Sequence, residues 1–105
     1  MPTLQELVTQ GLNALAQGRL EDALSAFQAV LAADPTSDVA WMGISIVHER
    51  RQEFDRAIEA IRKAIELKPD EPLHYTNLSR YYQSKGMIAE AEEAMARSYK
   101  TQGGG

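Results

Sequence analysis

The stretch GRLEDALSAFQAVLAADP, Gly18–Pro35, decides the fold. It is rich in alanine and amphipathic, and a glycine precedes it while a proline follows it. Glycine weakens a helix by its conformational freedom, and proline removes a hydrogen bond and clashes with the preceding turn. The stretch therefore predicts one helix near residues 20–33 with a break at each end. Whether this helix stands alone or is one copy of a repeated unit determines the architecture.

Helical spacing extends over the rest of the chain. In FDRAIEAIRKAIEL, Phe54–Leu67, the apolar side chains form a single stripe at three- and four-residue steps. No stretch alternates apolar and polar residues as a half-buried strand does. Prolines and glycines punctuate the pattern. We therefore predict six helices near residues 4–17, 20–33, 38–51, 54–67, 72–85 and 88–101.

Two helix starts carry capping signals. Thr3 followed by Glu6 predicts a capping box, in which each side chain satisfies the other residue's backbone N–H. Asp70 or Glu71 is placed to cap a helix that has Pro72 in its first turn.

Similar residues recur at intervals of 34 positions along the chain. Pro35 and Pro69 are 34 residues apart, and Gly18 and Gly86 match across two periods, with Gln52 as the exception between them. The same period aligns five further sets: Ala23, Ala57, Ala91; Phe27, Ile61, Met95; Leu20, Phe54, Ile88; Leu7, Trp41, Tyr75; and Gly11, Ser45, Ser79. A 34-residue helix–turn–helix period with this residue order resembles the tetratricopeptide repeat family.

The resemblance implies an all-α fold, a right-handed α-solenoid of three helix–turn–helix repeats. The predicted single domain covers residues 4–102, with repeats at about 4–37, 38–71 and 72–102 and a flexible glycine tail at 103–105. Small residues of the repeat let paired helices approach, and large ones fill the remaining space. The first repeat departs from the family pattern at Gln10 and at Ala14, where an aromatic residue is usual.

The two ends of the stack differ from its interior. Glu92 occupies the register of Leu24 and Ile58, and Gln10 and Asn13 are polar where later copies are apolar. Terminal repeats carry polar outer faces for solubility, so we expect both ends to be capped and the module to be complete. Met95 and Tyr99 are apolar residues of the last helix that no seventh helix covers, and they form a second candidate interaction face.

Composition and charge narrow the function classes. The formal net charge is −4, the pI is near 5.1 and no Lys/Arg cluster occurs, so we expect no nucleic-acid partner. The chain has no cysteine, which fits a reducing compartment. The start MPTLQELVTQ is not a signal peptide and no apolar run is long enough for a membrane span, so we expect a cytoplasmic protein without membrane insertion.

No residue set predicts catalysis or metal binding. His48 and Glu49 resemble the start of an H-E-x-x-H zinc motif, but the second histidine position holds Gln52. We expect His48 to be a packing residue and His74, beside a turn, to be exposed. The sequence predicts no enzyme, no cofactor and no metal site.

The resemblance implies that the first helix of each repeat lines an inner groove that receives a peptide or a helix. Carried over by register, that groove holds Gln5, Val8, Leu12, Leu15, Val39, Met42, Ile46, Glu49, Leu73, Thr76, Arg80 and Gln83. Family members that clamp a chaperone's carboxylate tail have Lys, Asn, Asn, Lys and Arg at five positions. Here those positions hold Val8, Leu12, Gly43, Leu73 and Asn77, so we expect no such partner.

Two functions follow, together with one purely structural interpretation. The groove, mostly apolar with a polar end, predicts an adaptor that binds a partner's amphipathic helix or apolar peptide. Alternatively, the groove or the Met95/Tyr99 face pairs with another copy to form a homo-oligomeric scaffold. In the structural interpretation, Val8, Leu12, Leu15 and Ile46 mainly pack between neighbouring helices.

Overall fold

The structure, a computed structural model, describes residues 1–103 and contains six helices with no strand in that range. The helices are α1 (Leu4–Ala16), α2 (Leu20–Ala33), α3 (Asp38–Arg50), α4 (Phe54–Leu67), α5 (Pro72–Ser84) and α6 (Ile88–Gln102). The six predicted helices are confirmed, with every boundary within one residue of its predicted place. Of the predicted glycine tail, Gly103 is the C-cap of α6, and residues 104 and 105 lie outside the described residues.

The predicted caps form. The backbone N–H of Glu6 donates to Thr3 Oγ1 at 3.1 Å, and the Thr3 N–H donates to Glu6 Oε1 at 3.3 Å. Of the two candidates before α5, Glu71 is the cap: its carboxylate accepts from the Leu73 N–H at 3.2 Å, with Pro72 at the first helical position. These bonds satisfy backbone donors that a helix start otherwise leaves free.

A left-handed residue turns the chain between the helices of each pair. Gly18 and Gly86 both have φ of 75°, and Gln52, the exception in the sequence pattern, has φ of 63°. The turn hydrogen bonds correspond as well, since the N–H of residues 18, 52 and 86 donates to the carbonyl three residues earlier at 2.9–3.0 Å. The middle repeat thus holds a side chain in a conformation that suits glycine.

The close approach of helices depends on the predicted small residues. The Phe27 ring lies against both Gly11 and Gly43: a Cβ on Gly11 would lie 2.6 Å from Phe27 Cε1, and one on Gly43 would lie 2.4 Å from Cζ. Ala23, Ala57 and Ala91 are buried at the seam of each pair. The small–large packing predicted from the repeat is confirmed for Gly11, Ala23 and Phe27, and Gly43, which lies outside the predicted set of small residues, makes the same close approach.

Successive repeats are joined by charged and polar pairs as well as by two apolar clusters. Arg51 pairs with Glu21, and one repeat later Lys85 pairs with Asp55. The predicted exposure of His74 is wrong, because its side chain is 1% exposed and its Nε2 lies 2.8 Å from Asp38 Oδ2. His74 therefore joins the start of α5 to the start of α3.

Candidate functional site

The first helices of the three repeats form one face of the molecule. α1 contacts α3, and α5 is bonded to α3 along its length through the pairs His74–Asp38, Tyr81–Ser45 and Arg80–Glu49. We call this face the groove and define it by the twelve residues predicted to line it. Their burial and contacts decide which of them are available to a partner.

Six apolar residues of the groove keep at least part of their side chains exposed. Leu12 and Leu73 are 41% and 49% exposed, whereas Val8, Val39, Met42 and Ile46 are half-buried. Val8 and Ile46 pack against the first core cluster, and Met42 packs against the second. Val8, Met42 and Ile46 are thus held by the core, and each keeps part of its side-chain surface exposed.

The prediction for Leu15 needs a correction. Its side chain is 4% exposed and belongs to the first core cluster, so it is not available to a ligand. Its carbonyl accepts a hydrogen bond from Arg50 Nη1 at 2.9 Å, which ties α3 to the end of α1. The structural interpretation therefore holds for Leu15, while Leu12 on the same helix stays exposed.

The polar end of the groove is neutralised internally. Arg80 donates from Nε to Glu49 Oε2 at 2.6 Å and from Nη2 to Glu49 Oε1 at 2.8 Å, while its Nη1 donates to Asn77 Oδ1 at 3.1 Å. The paired Glu49 carboxylate raises the pKa of the Arg80 guanidinium. A two-pronged pair of this kind is strong and directional. It leaves neither charge in need of a partner.

The remaining three groove residues differ in their roles. Thr76 is half-buried, and its hydroxyl lies 2.9 Å from Ser98 Oγ and 3.2 Å from the Pro72 carbonyl, so it joins α5 to α6. Gln5 and Gln83 are exposed at opposite ends of the groove. The groove residues are therefore mostly apolar, and the polar ones are either uncharged or, in Arg80 and Glu49, paired with each other.

Packing supplies a physical reason against a carboxylate clamp. The clamp needs an asparagine at position 43, where this chain has Gly43. A Cβ there would lie 2.4 Å from two atoms of the Phe27 ring, which is fully buried. A clamp asparagine is thus incompatible with the contact that holds α2 against α3.

A pocket of about 590 Å³ on the opposite side of α1 was not expected from the sequence. It lies between α1 and α2, and we call it the α1/α2 pocket; its floor includes Leu7, Ala14 and Ala26, and Gln10 and Asn13 lie at its rim. The signal that could have located it is Ala14, which replaces the aromatic residue usual at that position of the repeat.

Residues 1–103 contain neither a helix suited to span a membrane nor a cluster of metal-ligating side chains. No helix has the length and apolar character required to cross a bilayer. No group of three or more His, Cys, Asp or Glu side chains is arranged to hold a metal ion. His48 Nδ1 lies 2.9 Å from Glu53 Oε1, so both histidines of the chain are engaged with a carboxylate at a helix junction.

A tetratricopeptide repeat model matches residues 8–72 of this chain, well over half its length. The chain belongs to the tetratricopeptide repeat family. This confirms the resemblance drawn from the 34-residue period, and it identifies the six helices as three repeats of an α-solenoid.

This chain matches one curated relative over part of that protein's length. The photosystem I assembly protein Ycf3 of Synechococcus sp. (strain CC9605) is 31% identical over 83 residues, which is 76% of this chain and 48% of that protein. The chain therefore spans about half the length of this curated relative.

Two solved structures show the same fold. The type III secretion translocator chaperone SycD of Yersinia enterocolitica has a TM-score of 0.89 at 24% identity, over 94% of this chain and 75% of its own. MamA has a TM-score of 0.86 at 23% identity, over 95% of this chain and 58% of its own. At these identities the likeness concerns the fold alone.

Proposed function

We propose that this protein is a non-enzymatic interaction module whose groove binds the apolar face of an amphipathic helix or an apolar peptide. The observation that carries the proposal is the exposure of Leu12 and Leu73, at 41% and 49%, on either side of the half-buried Met42. Apolar side chains that remain wholly or partly exposed on the first helices of three successive repeats are typical of an interaction surface.

The electrostatics of the groove favour an uncharged contact surface on the partner. Because Glu49 and Arg80 already satisfy each other, a charged partner residue buried at this end would lose its water without gaining a counter-charge. An apolar helix face carries no such cost. Met42 adds an unbranched, adaptable side chain at the centre of the groove.

The family and its curated relative support a role in protein interaction. The fold is a protein-interaction scaffold, and the relative named above is an assembly protein. The partner of that protein is not carried over to this chain. What supports binding here is the shared architecture together with the exposed apolar residues of its own groove.

A second candidate is a homo-oligomeric scaffold that uses the Met95/Tyr99 face. The observation that favours it is Tyr99, which is 65% exposed on α6, while Ile65 in the same register of α4 packs against the second core cluster. Met95 is half-buried where Phe27 and Ile61 are fully buried.

A matched set of glutamate variants tests the groove. Leu12→Glu and Leu73→Glu change exposed groove residues, and Leu67→Glu changes a leucine of similar exposure, 40%, at the end of α4. The probe is a displayed library of amphipathic helical peptides, selected on the wild-type protein. We expect the selected peptides to bind wild type and Leu67→Glu equally and to lose at least about tenfold in affinity for either groove variant.

Circular dichroism checks that the three variants keep the same helicity. Selected peptides that bind Leu12→Glu and Leu73→Glu as tightly as the wild type would contradict the groove. A selection that yields no peptide specific for the wild-type protein would contradict it as well.

A further inference from the structure

The α1/α2 pocket has a counterpart in the third repeat. A pocket of about 350 Å³ lies between α5 and α6, and it is lined by Tyr75, Leu78, Tyr82, Glu90, Glu93, Ala94 and Arg97. Each of these positions, moved back by two periods of 34 residues, also lines the α1/α2 pocket. The two pockets are therefore the same feature of the repeat.

The preceding helix closes this feature in the third repeat. Arg62 and Ile65 of α4 line that pocket, and Arg62 donates a hydrogen bond to the Tyr82 hydroxyl. One period later, on α6, the registers of Arg62 and Ile65 hold Ala96 and Tyr99. Tyr99, which corresponds to the pocket-lining Ile65, is thus 65% exposed on α6.

The sizes of the side chains are complementary. The pocket of the third repeat is lined by Ile65 of α4 together with two aromatic residues, Tyr75 and Tyr82. In the α1/α2 pocket the corresponding two residues are smaller, Leu7 and Ala14. A tyrosine entering from outside would restore the aromatic ring that this pocket lacks, and its hydroxyl would reach the amide side chains at the rim.

The charges match in the same way. At both internal junctions a base of one repeat pairs with an acid of the preceding repeat, as Lys85 pairs with Asp55. The residues in the registers of Lys85 and Asp55 are Gln17, directly after α1, and Ala89, on α6. Both charges of the ion pair are therefore absent at these positions. A junction between α6 of one copy and α1 of another would bury no unpaired charge there.

The polar residues at the two ends also correspond. Glu92 occupies the register of Ile58, which shares an apolar cluster with Leu78 and Tyr81 of the next repeat. The residues in the registers of Leu78 and Tyr81 at the start of the chain are Gln10 and Asn13. A carboxylate would therefore meet amide donors, which suits a reversible and partly hydrated contact.

From these correspondences we propose that a second copy of this chain docks head to tail, with Tyr99 of α6 inserted into the α1/α2 pocket. The contact continues the stacking seen between the internal repeats. It is heterologous, because two different surfaces meet, and it leaves one pocket and one Tyr99 free at the ends of each assembly. It does not depend on the groove, and it gives the second candidate function a specific geometry.

Crosslinking of single-cysteine variants tests the orientation. The chain has no cysteine of its own, so Ala29→Cys, at the pocket rim, and Ala96→Cys, on the exposed side of α6, each provide one thiol. With a short bismaleimide, a mixture of the two variants should yield covalent dimers, and either variant alone should yield few. Dimers from Ala96→Cys alone would show a symmetric contact of α6 with α6 and would overturn the proposal.

Sedimentation equilibrium of the full chain tests the fit of the ring. Tyr99→Ala removes the inserted side chain. Ala14→Tyr fills the α1/α2 pocket with a ring at the position that Tyr82 has in the third repeat. Both should weaken self-association at least about tenfold, while Leu67→Ala and Met42→Glu leave it unchanged. Circular dichroism shows that each variant is folded.

A wild-type chain that stays monomeric at millimolar concentration would overturn the proposal. So would an association that Ala14→Tyr does not weaken. Because Met42 belongs to the groove and does not line the α1/α2 pocket, the effect of Met42→Glu on helical peptides and the effect of Tyr99→Ala on self-association separate the two proposals.

Discussion

Replacing Gln52 by glycine should stabilise the protein. Gln52 is exposed and has φ of 63°, in the turn where the other two repeats have Gly18 and Gly86 at 75°. A residue with a Cβ loses about 1–2 kcal/mol in the left-handed conformation. Glycine relieves this strain but adds roughly 0.5–1 kcal/mol of conformational freedom to the unfolded chain. The difference between these two ranges is roughly 0–1.5 kcal/mol, and their midpoints give an expected net gain for Gln52→Gly of about 0.75 kcal/mol.

The converse substitutions provide matched controls. A Cβ on Gly18 or Gly86 would meet no atom within 4 Å, so the cost of Gly18→Ala or Gly86→Ala comes from the backbone alone. We expect each to lose about 1 kcal/mol. For a domain of this size 1 kcal/mol corresponds to roughly 4–8 °C in Tm, which thermal and urea unfolding both resolve. A Gln52→Gly variant that is no more stable than the wild type, beside a neutral Gly18→Ala, would refute the left-handed turn.

Three further predictions concern the packing between helices. Ala57→Leu should overpack the α3–α4 seam and cost about 1–3 kcal/mol or more in urea unfolding; an unchanged midpoint would count against the repeat register. Gly43→Ala should be destabilising by a similar amount, because its Cβ would lie 2.4 Å from the Phe27 ring; a neutral result would mean that this ring is free to move. Burial raises the pKa of Tyr81 to about 12, although the hydrogen bond to Ser45 opposes the shift. The unfolded tyrosine ionises near pH 10, so this contribution to stability is complete below that pH and is lost as the pH rises to 12; phenolate absorbance that shows Tyr81 ionising near pH 10 in the folded protein would contradict it.

The fold could be predicted because its determinants repeat. Each feature of the repeat occurs three times in one register. The turn at Gln52 could therefore be predicted from Gly18 and Gly86, although Gln52 itself is not a glycine. The small residues at the seam were recognisable as well, since Gly11 and Ala23 recur as small residues in every copy. Helix starts followed from capping side chains, whose effect is local.

The exposure of particular side chains could be predicted only in part. His74 was expected at the surface, but Asp38 of the preceding repeat pairs with it, and a contact between residues 36 positions apart is not visible as helical spacing. Leu15 was placed in the groove by register, but it is buried in the first core cluster, which includes Ile44 and Val47 of α3. In both cases a neighbouring repeat determines the burial, and the register alone does not contain that neighbour's side chains.

The α1/α2 pocket shows a different limit. The replacement of an aromatic residue by Ala14 is plain in the sequence, but a missing side chain creates a pocket only where nothing else moves into the space. The comparison with Tyr82 in the third repeat, made on the structure, shows where the missing ring would lie.

The measurement that tests the central claim most directly is an NMR titration of the isotope-labelled protein with a helical peptide selected on it. The groove proposal predicts saturable shift changes that centre on Leu12, Met42 and Leu73, on the first helices of all three repeats. Leu67 and Tyr99, which lie on second helices, should not change. Saturable changes confined to α2, α4 and α6, or no saturable change at all, would contradict the assignment of the groove as the binding site.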